Sequence, residues 1–283
     1  MEIKDRALFA RFFSSNGIKS TFPVDHNASF KEELKSSMKK GMLKQILLIT
    51  DGCSNEGEDP VAMAALAREQ GITVNVIGVL DKYDTEDGHG LHEIENIAEA
   101  GGGISQIVQT KQLAQTVQMV TKQAMTQTIT GVINQQLQDI LGDSGTVEDL
   151  PPEKRGEVME VVEEVGETSD LQVCILVDTS ASMKNKLPTV REALTDLSLS
   201  LSARMGENQF CLYLFPGKRK SVQKVVAWTP QLDDIERTFD KISSHGITPT
   251  GPALKEAVKS FASLSRKHGF FRNDDEAYDD GPR

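Results

Sequence analysis

The chain has 283 residues and a formal net charge of -11 at pH 7. This length allows one large domain or two small ones. The negative charge argues against a surface for nucleic acid or for an anionic membrane, because either partner would repel the chain. Cys174 and Cys211 lie in apolar runs, which favours buried thiols over a disulfide framework and predicts a reducing, cytoplasmic location.

Residues 1–42 show no clean hydrophobic period, and we expect an N-terminal arm without a fold of its own. The start of the sequence lacks the basic-then-apolar layout of a secretion signal, and no apolar stretch has the length of a membrane-spanning helix. These observations also favour a cytoplasmic protein. We assign the arm no function.

A regular pattern begins at Lys44. The run Ile46-Leu-Leu-Ile-Thr50 predicts a buried strand that ends at Asp51-Gly52. Asp59 and Pro60 are typical of the first turn of a helix, and Gly71 is typical of its end. A second buried strand follows over Ile72–Leu80, so this stretch predicts a strand, helix, strand unit with parallel strands.

The next stretch, up to Leu141, predicts a short helix, an edge strand over Ile104–Val108 and a long helix. The acidic segment before it, residues 81–90, does not place its carboxylates as a calcium loop does, so we expect a solvated loop. His89 and His92 stand three apart without a third ligand and do not predict zinc. Residues 142–169 are acidic and contain Pro and Gly, which indicates a linker with a short helix at about 152–165.

The stretch from Leu171 to Met183 holds the strongest signal. An apolar run predicts a strand buried on both faces, and it ends in Asp178-Thr-Ser180-Ala-Ser182. Such a turn serves equally well as a helix N-cap or as a set of oxygen ligands for a hard cation such as Mg²⁺. The motif alone leaves these two interpretations open.

The remaining residues predict a helix after the turn, a strand at Gln209–Phe215 with a hairpin partner, a helix at about 233–243 and a last helix at about 252–266. Thr248 lies in the loop Gly-Ile-Thr-Pro-Thr-Gly that precedes this last helix. Residues 269–283 are polar and charged and predict a disordered tail.

Three motifs together, DxSxS at Asp178, the Thr248 loop and the strand that ends in Thr-Asp51-Gly, resemble the metal-ion-dependent adhesion site of von Willebrand factor type A (vWA) domains. The resemblance implies a doubly wound α/β fold with a six-stranded, mostly parallel sheet of order 3-2-1-4-5-6. Residues 43–141 resemble the C-terminal half of such a domain together with a long helix, and residues 170–268 resemble its N-terminal half. We therefore interpret the chain as a circularly permuted vWA domain, which domains with neighbouring termini tolerate.

By the family pattern, the metal ligands are Asp178, Ser180, Ser182, Thr248 and Asp51, and the ion is Mg²⁺ or Mn²⁺. The hydroxyls bind the ion, with Thr248 and the two carboxylates acting directly or through water. The resemblance implies a protein-binding module in which an open position on the ion takes a Glu or Asp of a partner protein. It implies no enzyme activity.

Two alternatives remain open at this point. A phosphohydrolase on a similar sheet would use Asp178 as a nucleophile. Such an enzyme requires a second carboxylate two residues later, where this chain has Ser180, and the sequence has no phosphate-binding loop motif. In the second alternative the two halves of one chain complete the halves of another, so the assembly is either a monomer or a swapped homodimer.

Overall fold

The computed structural model describes residues 42–52, 54–80, 88–141, 146–218, 220–232 and 246–272. Within these ranges the strands are β1 (Met42–Thr50), β2 (Thr73–Leu80), β3 (Gly102–Gln109), β4 (Asp170–Asp178), β5 (Asn208–Phe215) and β6 (Gln223–Thr229). The helices are α1 (Pro60–Glu69), α2 (Gly88–Ala100), α3 (Leu113–Leu141), α4 (Pro152–Thr168), α5 (Leu187–Ser202) and α6 (Thr250–Arg272).

The six strands form one sheet of order β3-β2-β1-β4-β5-β6. Every neighbouring pair is parallel except β5 and β6, which pair antiparallel as a hairpin. The predicted fold class, an α/β fold with a mostly parallel six-stranded sheet, is confirmed. The central strands are apolar along almost their whole length because both faces of the sheet are buried.

One face of the sheet carries a large cluster of buried apolar residues. Ile46, Leu48, Cys174 and Leu176 of β1 and β4 belong to it, and α1, α2 and α6 contribute apolar residues that include Phe261. On the other face, Gln45 Nε2 donates to the Thr121 carbonyl of α3 at 3.4 Å. Helices therefore lie against the sheet on both sides, as a doubly wound fold requires.

Helix α1 begins where its sequence predicts. The Asp59 carboxylate accepts a hydrogen bond of 2.9 Å from the Val61 amide, and Pro60 occupies the first turn. Both features satisfy or remove amide donors that have no partner inside the helix.

The described residues divide into two compact units, one with those between 42 and 128 and between 167 and 272, and one with those between 129 and 166. The first contains the sheet. In the second, α4 buries Val158, Val161, Val162 and Val165, which recur at helical spacing. The helix expected at 152–165 is thus present, and it extends three residues further, to Thr168.

Several predictions lie outside the described residues. They concern the arm up to residue 41, the acidic loop at 81–87, Cys53, the helix expected at 233–243 and the tail from residue 273. Among the helices that the structure describes, none combines the length and apolar character needed to cross a membrane.

Candidate metal centre

The candidate centre lies at the carboxyl ends of β1 and β4, which are adjacent and parallel. From β1 the chain continues to β2 on one side of the pair, and from β4 it continues to β5 on the other. In open α/β sheets such a reversal of strand order leaves a crevice in which ligands bind. Asp51 directly follows β1, and Asp178 is the last residue of β4.

Three of the predicted ligands are joined in a line of hydrogen bonds. Ser182 Oγ donates to Asp51 Oδ1 at 3.1 Å, although the two residues are 131 positions apart in the sequence. Ser180 Oγ and Ser182 Oγ are 3.1 Å apart, which is hydrogen-bonding distance. Two hydroxyls from the turn after β4 and a carboxylate from the loop after β1 therefore lie within hydrogen-bonding distance of one another.

Asp178 lies beneath this line and is fully buried. Its Oδ1 accepts from the Ser180 amide at 2.7 Å, and its Oδ2 accepts from Thr50 Oγ1 at 2.8 Å. Burial raises the pKa of Asp178 to about 7; the Ser180 and Thr50 hydrogen bonds oppose this shift, and the nearby Asp51 charge adds to it. The carboxyl group is thus ready to ionise when positive charge is brought close to it.

Besides the Ser182 hydroxyl, Asp51 contacts a side chain of opposite charge. Lys186 Nζ lies 3.0 Å from Asp51 Oδ2, and the lysine side chain is only 1% exposed. Lys186 is the residue before α5 and so enters the centre from the turn that also carries the two serines. Each oxygen of Asp51 therefore accepts a hydrogen bond, one from Ser182 and one from Lys186.

Thr248 is brought to the loop that follows β1. Its amide donates to Asn55 Oδ1 at 2.8 Å, and its carbonyl accepts from the Asn55 amide at 3.2 Å and from Ser54 Oγ at 3.3 Å. The Thr248 side chain is buried. These contacts tie the threonine loop to the residues three and four positions after Asp51.

Two glycines are required by close approach in these loops. Gly52 has φ +97°, and a Cβ there would lie 2.8 Å from Gly90 Cα. A Cβ on Gly251 would collide with the Glu58 backbone. Glycine lets the loop after β1 pack between the start of α2 and the start of α6.

The structure thus places Asp51, Asp178, Ser180 and Ser182 in one connected cluster, and Thr248 in a loop bonded to its rim. Sequence analysis missed three residues of this arrangement: Thr50, which orients Asp178; Asn55, which holds Thr248; and Lys186, which pairs with Asp51. Thr50 and Asn55 lie within four residues of Asp51 in the sequence, so their closeness to a predicted ligand could have identified them. Nothing in the sequence separates Lys186 from the exposed Lys184 two positions earlier.

The chemistry of this donor set fits a hard cation. The candidate ligands are carboxylate and hydroxyl oxygens, which Mg²⁺ and Mn²⁺ prefer. Among the residues that the structure describes, no three His, Cys, Asp or Glu side chains group as a metal site would need. The carboxylate and hydroxyl set at the ends of β1 and β4 therefore differs in composition from a zinc-type centre.

Comparison with known proteins identifies the family of the chain. Family models of the von Willebrand factor type A domain match residues 26–123 and residues 171–273. The strands of both ranges belong to the one sheet, three from each. Domains of this family are generally metal-dependent protein-interaction modules.

Two relatives match almost along their whole length. Uncharacterized protein YabS of Bacillus subtilis (strain 168) is 57% identical over 243 residues, which are 86% of this chain and 99% of that protein. The crystal structure of an uncharacterized protein from Alicyclobacillus acidocaldarius subsp. acidocaldarius DSM 446 is 41% identical, with a TM-score of 0.75, and the match covers 82% of this chain and 99% of that one. The chain is therefore a member of the von Willebrand factor type A domain family and a relative of YabS.

Proposed function

We propose that the chain is a circularly permuted vWA domain that binds a protein partner through Mg²⁺ held at the candidate metal centre. The observation that carries the proposal is the 3.1 Å hydrogen bond between Ser182 and Asp51. These residues come from the two family-matched ranges, and their meeting is what one adhesion site assembled from both ranges requires. The sheet order is the same whichever half of the chain comes first, so the permutation is supported by the motifs instead: the strand that ends before Asp51 precedes the strand that ends in Asp178.

In this proposal Ser180, Ser182 and Thr248 hold the ion through their hydroxyls, and Asp51 and Asp178 do so directly or through water. When bound, the ion supplies an electrophilic position that accepts a carboxylate oxygen of the partner. The protein residues orient the site: Thr50 fixes one oxygen of Asp178, and Asn55 fixes the backbone of Thr248. Mn²⁺, with similar ligand preferences, would serve as a substitute.

The charge of the chain favours an ion-bridged contact with an acidic partner. With a formal net charge of -11, the protein repels a Glu or Asp side chain over most of its surface. A divalent cation at the crevice reverses this repulsion at one place. Capture of the partner should therefore depend steeply on the ion, and we place this function in the cytoplasm on the cysteine and charge pattern of the sequence.

The alternative of a phosphohydrolase has weaker support. A nucleophilic Asp178 would have to reach a substrate phosphorus, but this side chain is 0% exposed and both of its oxygens accept hydrogen bonds from the protein. Ser180, two residues later, offers no carboxylate for acid-base work. These features favour binding over catalysis.

Isothermal titration calorimetry with Mg²⁺ tests the proposal. The wild-type protein should bind one Mg²⁺ per chain, Asp178→Ala and Ser180→Ala should lose this binding, and Ser202→Ala, which removes an exposed hydroxyl from α5, should keep it. A pull-down of partner proteins with and without chelator should follow the same order. Unchanged Mg²⁺ affinity in Asp178→Ala would overturn the site assignment.

A further inference from the structure

Lys186 is an unusual component of a cation centre. Its ammonium group lies 3.0 Å from Asp51 Oδ2, and its side chain is 1% exposed while that of Asp51 is 11% exposed. Long cationic side chains are seldom buried to this extent unless they are paired. The chain therefore keeps a positive charge of its own at the place where the proposed Mg²⁺ is to bind.

Among the residues that the structure describes, we base the charge of the centre on the ionisable side chains Asp51, Asp178 and Lys186. With Asp51 and Asp178 ionised, two negative charges and the single positive charge of Lys186 give a net charge of -1. A bound Mg²⁺ brings the centre to +1. Without Lys186, the same centre would carry -2 before Mg²⁺ binds and zero afterwards.

We infer that Lys186 sets the charge balance of the centre, so that Mg²⁺ is held less tightly while a partner carboxylate is attracted more strongly to the loaded site. This inference rests on the proposed function. A carboxylate carries one negative charge, so its binding brings the loaded centre from +1 to neutrality. In a low-dielectric crevice, a centre of charge +1 attracts an anion, whereas a neutral centre exerts no net attraction on it.

A purely structural role for Lys186 predicts a different outcome. If the lysine only orients Asp51 by its hydrogen bond to Oδ2, its loss would loosen the ligand and weaken Mg²⁺ binding. If its charge is what matters, loss of the lysine would strengthen Mg²⁺ binding because a competing cation is gone. The sign of the change in Mg²⁺ affinity therefore separates the two roles.

Two neutral variants of the full chain make the test. Lys186→Gln removes the charge and keeps an amide donor on a side chain one atom shorter, and Lys186→Met removes both charge and donor. The control is Lys184→Gln, which makes the same charge change two residues away on an exposed side chain. Calorimetry with Mg²⁺ alone should show at least about tenfold tighter binding in both Lys186 variants and an affinity within about twofold of wild type in the control.

The second measurement uses acetate as the minimal carboxylate. With each protein saturated with Mn²⁺, water proton relaxation reports how acetate displaces ion-bound water. Acetate should bind the Lys186→Gln protein at least about threefold more weakly than wild type, opposite in direction to the change for Mg²⁺.

The outcomes are distinct. Mg²⁺ binding that is unchanged or weaker in Lys186→Gln, with wild-type binding intact, overturns this inference and leaves the proposed function standing. A wild-type protein that binds no Mg²⁺ overturns the proposed function and this inference with it. Tighter Mg²⁺ together with weaker acetate in both variants supports the charge role.

Discussion

Replacement of Asp178 by Asn should stabilise the metal-free protein while abolishing its response to Mg²⁺. The Asp178 side chain is 0% exposed and its pKa is raised from 3.8 to about 7, mainly by burial. At about 1.4 kcal/mol per pH unit, this difference corresponds to on the order of 4 kcal/mol of free energy of unfolding. Asn is neutral at every pH of interest, so the folded variant does not carry the free-energy cost of a buried charge.

The pH dependence of the effect has a definite sign. Below pH 3.8 the carboxyl group is protonated in both the folded and the unfolded chain, so it contributes no pH dependence. Between pH 3.8 and about 7 the unfolded chain releases a proton that the folded chain retains, and the free energy of unfolding falls as pH rises. Above pH 7 the full loss is present.

The size of the gain also depends on hydrogen bonds. Asn can accept from the Ser180 amide but cannot serve as a second acceptor for Thr50 Oγ1, which costs about 1 kcal/mol. At pH 8 in chelator, we therefore expect Asp178→Asn to be more stable than wild type by about 3 kcal/mol. At pH 4 the advantage should disappear, because this pH is close to the ordinary pKa of 3.8 and most of the stability difference develops only at higher pH.

Urea denaturation followed by circular dichroism measures this difference at both pH values. The matched control is Asp170→Asn, at the opposite end of β4, where a partly exposed carboxylate accepts a hydrogen bond from the Glu207 amide. The control should show no gain. A wild-type protein as stable as Asp178→Asn at pH 8 without metal would refute the view that burial of this carboxylate opposes folding.

The remaining predictions concern the loops, the core, the ion and the assembly. Asn55→Ala removes the acceptor for the Thr248 amide and should weaken Mg²⁺ binding about fivefold by calorimetry, whereas Asn55→Asp keeps an acceptor and should stay nearer to wild type; equal affinities would contradict this role. Leu176→Ala creates a cavity at a 0% exposed site and should lower the free energy of unfolding by about 2–5 kcal/mol in urea, and a loss below 1 kcal/mol would show that the core collapses around it. Mg²⁺ at a hundredfold excess over its Kd should raise the free energy of unfolding by about 2.7 kcal/mol, and chelator should reverse this; no shift would speak against ion binding. Light scattering after size exclusion should give the 31.0 kDa of a single chain with Mg²⁺ affinity intact, and twice that mass would favour the swapped homodimer.

Much of the fold was accessible from the sequence because its signals are local. Asp59 and Pro60 predict the start of α1, and the apolar runs before Asp51 and Asp178 predict two strands buried on both faces. The hairpin of β5 and β6 follows from alternation in the second strand. The buried valines of α4 were harder to interpret, because the acidic residues between them also fit a solvated linker.

The sequence by itself determined which residue types stand at the ends of β1 and β4, since strand pattern and motif spacing depend only on neighbouring positions. The tertiary structure alone decided which of these residues meet. Ser182 reaches Asp51, Thr248 reaches Asn55 and Lys186 enters the centre only after parallel strands from distant parts of the chain are placed side by side. Lys186 and Lys184 have the same side chain and nearly the same position, and burial next to a carboxylate is a property of the packed sheet that no local pattern encodes.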